Sequence, residues 1–523
     1  MTAARTKAPL EMTHRERLEA LSGLLVGMFV AMLANTVVSN ALPTIVRDLH
    51  GGESVYSWVV VASLLATTVS TPIWGKLADV YNKKLLVQLG LLIFVGGSAL
   101  AGLAQSSGML IAFRVLQGVG AGGLMALVQV VIASIIPPRE RGRYSGYIGA
   151  TFGLATLFGP LIGGVIVDTS WLGWRWCFYV GVPFAILALV LLQKTLHIPA
   201  IENAKAKIDY FGALLLTGGV SMILIWVSLG GHQFAWGSIW TPVLVVGGIA
   251  LIALSVWIES RAENAVLPLH LFKQRTVVIA TVGSAFVGVA LFGATVFLSQ
   301  YFQISRGMSP TVSGLATLPM IFGLVVASTV SGKLITKYGK WKNFLVVGGA
   351  LLSAGMLLMG TMSRDSHYWL LSIYMVLMGA GTGMLMQNLV LAVQNTITLK
   401  EMGAGSSLVA FFRSLGGAIG VSSLGALVSH RVIVYIENGF KAAHIPMPTG
   451  GNESAIPNLA TLPPAVRDII ERAYGNAMAD AFLAAAPFAV LAFIAVLFIK
   501  EVPLRRTNDA DSLVPQSDGV AAS

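Results

Sequence analysis

Fourteen long apolar runs, separated by short polar blocks, constrain this chain more than any other feature. They begin near Leu21, Tyr56, Leu85, Gly108, Tyr144, Trp176, Tyr210, Trp240, Thr276, Thr311, Asn343, Trp369, Gly405 and Ala481. About 20 apolar residues cross the hydrocarbon core of a bilayer. Inside that core every backbone N–H and C=O must find a partner within the protein, and a helix satisfies them within one segment. Of 523 residues, 55% are hydrophobic and only 11% charged, against about a quarter charged in a soluble chain. The sequence therefore predicts an all-α polytopic membrane protein whose first partner is the lipid bilayer. Trp and Tyr open several runs, where amphipathic rings favour the headgroup layer.

The net charge of +11 invites a nucleic-acid reading. The Lys and Arg residues instead fall in short blocks between apolar runs. Placing the N-terminus inside gives that side a roughly threefold excess of cations, the bias that orients membrane proteins. Both termini are therefore expected in the cytoplasm, and nucleic-acid binding is set aside. The N-terminal tail, residues 1–20, is basic, with a short surface helix expected over 13–20. It lacks the small-residue cleavage site of a signal peptide. Cys177 is the only cysteine, so no internal disulfide forms. The eight histidines are scattered, with no metal-ligand spacing and no phosphate-cradling Gly-rich Lys motif. A membrane-embedded enzyme would need paired acids, a His cluster or a nucleophile–base set within the spans. None is visible, so no enzyme activity and no cofactor or metal is expected.

The chain repeats itself. "GKLADVYNKK" from Gly75 recurs as "GKLITKYGKWK" from Gly332, and "VLQGVGAGG" from Val115 is echoed by "VLMGAGTGM" from Val376. Two echoes in the same order divide the chain into a bundle of six spans (21–196), two extra spans with linkers (197–275) and a second bundle of six (276–500). A long outer loop is expected over 430–480 and a disordered cytoplasmic tail over 501–523. Parallel repeats of this kind place a transport site between the bundles.

On these motifs the chain resembles the major facilitator superfamily, in its fourteen-span drug:proton antiporter branch. The resemblance implies two six-helix bundles plus two inserted helices. "GKLADVYNKK" matches the family's loop between spans two and three. It implies gating roles for Gly75, Asp79, Lys83 and Lys84, as a charge latch holding one access state. Two departures stand out: Val80 replaces a usual basic residue, and Asn82 replaces a usual Gly, a position where Asn still tolerates a left-handed backbone. "RVLQGVGAGG" matches the fourth-span signature and implies a coupling role for Arg114. A guanidinium stays charged, so it would tune a neighbour rather than carry the proton; snorkelling to the interface is the alternative. Gly159, Pro160, Gly163 and Gly164 match the fifth-span signature that accompanies export. "FFRSLGGAIG" matches span thirteen, where Arg413 either faces the cavity or anchors at the membrane edge. Around "SWLGWRWCFYVGVP" the Trp and Arg residues read as an outer interface anchor.

The first-span signature, "LANTVVSNALP" (Leu33–Pro43), departs from the family. Asn35 stands where many relatives carry Asp. Asn35, Thr36, Ser39, Asn40 and Pro43 fall within about 140° of arc on a helix. They either line a cavity or hold neighbouring helices together. No span carries Asp or Glu near its middle. The central polar groups are Asn35, Asn40, Gln129, Gln387 and Asn388, with Gln300 nearer the outer end of span nine. Amides donate and accept hydrogen bonds without charge, so small hydrophobic substrates that are neutral or anionic are favoured over cations. The reading is a secondary exporter of drugs or antibiotics in a bacterial-type cytoplasmic membrane, with protons as coupling ion through Asp79 and Arg114. Asp48, His50 and Glu53 are outer alternatives for that coupling. A lipid or metabolite exporter on the same fold is the second reading.

Overall fold

The computed structural model describes residues 14–49, 53–169, 171–196, 209–231, 233–261, 265–445 and 462–505. The described residues are helices joined by short turns, with no strand among them. The first bundle holds α1 (His14–Asp48), α2 (Glu53–Val80), α3 (Lys83–Gly102), α4 (Ser107–Ile135), α5 (Pro138–Asp168), α6 (Trp176–Tyr179) and α7 (Gly181–Thr195). The inserted pair is α8 (Tyr210–Leu229) and α9 (Trp240–Glu259). The second bundle holds α10 (Arg275–Gln300), α11 (Pro310–Ala316), α12 (Leu318–Tyr338), α13 (Lys342–Met359), α14 (Tyr368–Thr396), α15 (Met402–Ala443) and α16 (Pro464–Leu497). Fourteen stretches are long and apolar enough to cross a membrane, as the sequence predicts.

Local chemistry explains the breaks. Span ten bends between α11 and α12, where Pro319 supplies no N–H at the first turn of α12. Asn82 has φ −62°, not the left-handed backbone expected of it. Its Oδ1 instead accepts from the Lys84 and Leu85 amides and caps α3. In the second copy of the repeat Gly339 does take the left-handed form, at φ 73°. The same loop is thus turned by two different devices.

Three expectations change. The segment 13–20 is no separate helix, because α1 runs unbroken from His14. The expected outer loop 430–480 is largely helix: α15 continues to Ala443 and α16 starts at Pro464. Ion pairs from Arg364 to Asp468 and Glu471, and from Arg431 to Asp480, fasten the start of α16. Residues 446–461 lie outside the described residues. The tail is not free from 501 onward, since Glu501–Arg505 dock on the protein; 506–523 lie outside the described residues.

Each bundle has its own buried core. The bundles meet mainly through α5 against α12 and α2 against α15. The inserted pair packs α8 on α9 and touches α2 and α15 from outside. Gly219 and Gly248 let those two backbones approach, since a Cβ on either would press on the other's carbonyl. Most of α9 remains exposed, including Val246 and Trp257, as suits a helix facing lipid. The start of α1 and the end of α16 share one face of the molecule, called the termini face below.

Candidate functional site

The first cluster lies on the termini face, where α2 ends against the start of α15. The first N–H groups of a helix have no partner within it and carry its positive pole. Asp79 fills that need from the opposite bundle. Its Oδ1 accepts from the Gly403 amide at 2.6 Å and its Oδ2 from the Ala404 amide at 2.8 Å. The approach needs two glycines. A Cβ on Gly75 would strike Ser407 and the Gly403 carbonyl, and one on Gly403 would strike Gly75 and Asp79. Lys83 is buried within electrostatic range of Asp79. Lys84 turns away: its Nζ donates to the Gln193 carbonyl at 2.9 Å, at the negative pole of α7.

The second copy of the motif has the same packing but not the charge. Gly332 sits against Gly142 of α5 as Gly75 sits against Gly403. Ser145 and Ser328 exchange reciprocal hydrogen bonds to each other's carbonyls, both at 3.1 Å. Thr336 stands where Asp79 stands in the first copy. The latch is therefore charged on one side of the pseudo-symmetric pair only.

A polar hub joins the bundles beside it. Gln394, near the end of α14, is the centre. Its Oε1 accepts from Arg141 Nη1 at 3.0 Å, and its Nε2 donates to the Gln129 carbonyl and to Ser406 Oγ. Arg141 also donates to the Ile136 and Ala133 carbonyls. Gln129 Nε2 donates to Gln387 Oε1 at 3.1 Å. Gln129, Gln387 and Asn388, three of the expected cavity residues, line one cleft together with Arg141, Ser145 and Gln394. Its free volume is about 20 Å³, room for about one water. Asn388 spends its Nδ2 on the Met384 carbonyl of its own helix. Gln387 Nε2 has no partner among the described residues.

Arg114 lies far from this hub, near the opposite end of α4, and is 4% exposed. Its Nη1 donates to Gln117 Oε1 at 2.6 Å, and weaker 3.5 Å contacts reach Asn35 Oδ1 and the Val59 carbonyl. Gln117 continues to Ser98, and Ser98 to the Phe178 carbonyl. No carboxylate pairs with Arg114 among the described residues. Asn35 therefore meets a buried cation with an uncharged side chain. Asn40 lies outside the described side chains. Asp79 and Arg114, expected to share coupling, sit near opposite ends of their helices and do not meet.

The fifth-span residues mark a seam. Gly159 admits Thr36 of α1, whose Oγ1 donates to the Ala155 carbonyl. Pro160 faces Gly314, Gly164 faces Thr311, and Gly163 is buried. The signature thus touches α1 on one side and α11 of the other bundle on the next. Arg413 is partly buried in α15, with Nη1 unpartnered among the described residues. Gln300 ends α10 near the opposite face and joins none of these clusters. Asp48 ends α1 and accepts from Trp174 Nε1 at 2.7 Å, with Arg175 stacked on the Trp174 ring. Trp174, at 4% exposure, is packed inside the bundle, while Trp171 and Trp176 remain exposed. Glu53 and His50 lie outside the described side chains.

Sequence reasoning missed Arg141, Gln394 and Ser406. Arg141 lies in "PPRERGR", which reads as one more block of orienting charge. Gln394 sits in "AVQNT", near a helix end where amides are ordinary.

Two helical bundles with repeated loops, a seam of glycines between them and a polar cluster joining them at one face are the architecture of a two-bundle membrane transporter. The Major Facilitator Superfamily model matches residues 24–421, and the chain belongs to that family. It is 38% identical over 517 residues to an uncharacterised MFS-type transporter of Mycobacterium tuberculosis (strain H37Rv), covering 98% of this chain and 74% of that one. It is 35% identical over 427 residues to the multidrug transporter protein MdtP of Bacillus subtilis, covering 81% and 78%. In fold it resembles the solved proton:xylose symporter XylE, with a TM-score of 0.60 at 14% identity over 91% of this chain and 96% of that one. The protein is a multi-pass membrane transporter, not an enzyme.

Proposed function

We propose that this transporter exports small hydrophobic compounds, neutral or anionic, across a bacterial-type cytoplasmic membrane by alternating access, with protons as the driving ion. The termini lie in the cytoplasm. The observation that carries the reading is a one-sided seal. The side-chain hydrogen bonds that join the two six-helix bundles lie in the half nearest the termini: Asp79 to α15, Gln129 and Arg141 to α14, Ser145 and Arg139 to α12. This is the state closed inside, and the opposite state requires these bonds to break together.

The substrate preference rests on charge. Spans without Asp or Glu near their middle offer a lipophilic cation no ion pair, while Arg114, with no carboxylate partner among the described residues, favours negative charge nearby. Coupling runs through Asp79. A protonated carboxyl accepts hydrogen bonds more weakly than a carboxylate, so a proton on Asp79 loosens the α2–α15 seal. The relative MdtP, a multidrug transporter by name, supports the reading of drugs as cargo.

Everted vesicles containing the protein test both parts. Uptake of neutral and anionic hydrophobic dyes is expected to exceed uptake of cationic ones and to stop when the pH gradient is collapsed. Transport that survives collapse removes proton coupling. A preference for cations removes the substrate reading.

A further inference from the structure

Past α16, the chain does not simply leave the protein. Ile499 and Leu504 are buried in the second bundle's core, and the residues around them cap three helix ends. Glu501 Oε1 accepts from the Trp341 and Lys342 amides at 3.0 and 3.3 Å, at the start of α13. The Val502 carbonyl accepts from Trp341 Nε1 at 2.9 Å. Asn395 of α14 donates to the Pro503 carbonyl and accepts from the Arg505 amide, both at 3.1 Å. Arg505 Nη2 donates to the Gln394 and Ile397 carbonyls at 2.7 and 2.9 Å, where a cation suits the negative pole of α14. Finally, the Arg505 carbonyl accepts from the Arg139 amide at 3.2 Å. That N–H is an unpaired group at the start of α5, in the other bundle.

A tail that served only to exit the membrane would not half-bury this guanidinium. Burying a charge is costly without a counter-charge. Arg505 has carbonyl partners, no carboxylate among the described residues, and the like charge of Arg141 within electrostatic range. Burial lowers its proton affinity accordingly. The cost falls at one particular place: Gln394, the hub of the gate, is held through its backbone by Arg505 and through its side chain by Arg141.

We propose that Glu501–Arg505 is a positioning strap for the termini-face gate. It joins the ends of α13, α14 and α5, presents Gln394 to Arg141 and Gln129, and biases the transporter towards the state closed on that face. Its contacts to α13 and α14 stay within one bundle. Of the strap's own contacts, opening breaks the link to Arg139, and at Gln394 it also breaks the bonds to Arg141 and Gln129. The strap thus adds to the gate without touching substrate, and its role is independent of which compound is carried.

The test uses spin labels on the full chain in a Cys177→Ser background, at Arg143→Cys on α5 and Lys400→Cys before α15, both exposed positions. Double electron–electron resonance in lipid nanodiscs reads the ratio of closed to open distances. Arg505→Ala is expected to lower that ratio about tenfold, the scale of one hydrogen-bonded charge. Arg505→Lys, which keeps a donor for the same carbonyls, is expected to restore part of it. A chain ending after Lys500 should shift as Arg505→Ala does, and one ending after Arg505 should match the full chain. If the truncation at Lys500 fails to insert, the two point variants decide alone. An unchanged ratio in a well-inserted Arg505→Ala protein overturns the strap. So does an equal shift in the chain ending after Arg505, which would place the effect beyond residue 505.

Discussion

Asn35 and Arg114 show how one residue changes the chemistry of a span. In the sequence, Asn35 is an amide in an apolar run, with two readings: cavity lining or helix glue. In the structure its Oδ1 lies 3.5 Å from a buried guanidinium that has no carboxylate partner among the described residues. Asn35→Asp would supply the missing counter-charge. Removing an uncompensated buried charge is favourable even where an ion pair is worth little over an apolar pair. The variant should melt higher, by about 1–3 °C, in a thermal-shift assay, and resistance to lipophilic cations should rise in a host lacking its own pumps. A lower melting temperature would count against direct pairing. Asp79→Asn belongs at the same scale. It replaces a charged acceptor by a neutral one with a single oxygen, so one helix N–H loses its partner. The seal should weaken by roughly tenfold in its closed-to-open ratio, read by the same distance measurement.

At the scale of elements, α2 and α15 owe their contact to missing side chains. Gly75 and Gly403 place backbone against backbone, and only then can Asp79 reach two amides. Gly75→Val should cost roughly 2 kcal/mol by overpacking and reduce transport even though Asp79 is intact. The equivalent Gly332→Val on α12 should destabilise by a similar amount, because Gly142 lies as close. It should disturb the gate less, because Thr336 makes no charged latch there. Comparing transport with melting temperature for the two variants separates packing from gating. Equal effects on both readouts would mean that the charge asymmetry has no role. The motif around Gly75 and Asp79 was legible as a repeated string. Its partner was not, because Gly403 and Ala404 act through backbone amides, which leave no signature in residue type.

For the whole molecule, the prediction concerns which face is shut. Gln129 and Gln387 lie 258 residues apart in the chain and share a hydrogen bond. Cysteines at these two positions, joined by a short bifunctional thiol reagent, should trap the protein closed and halt transport, with reduction restoring it. Free transport after complete cross-linking would show that this contact need not break in the cycle.

The sequence alone determined the spans, their number, the division into two repeated bundles and the family. Each rests on local or periodic information: apolar length matched to bilayer thickness, charge between spans, and strings recurring in order. Even helix starts at Trp176, Tyr210 and Trp240 were readable, because interfacial aromatics mark them. The tertiary structure decided the partners. Only packing revealed that Lys84 serves α7 rather than the latch, that Arg114 meets Asn35, that Gln394 gathers the gate, and that the tail is tied down at Arg505. Such pairings join residues distant in sequence through single hydrogen bonds, and Gln, Arg and Gly have the same local appearance whether they make those bonds or not.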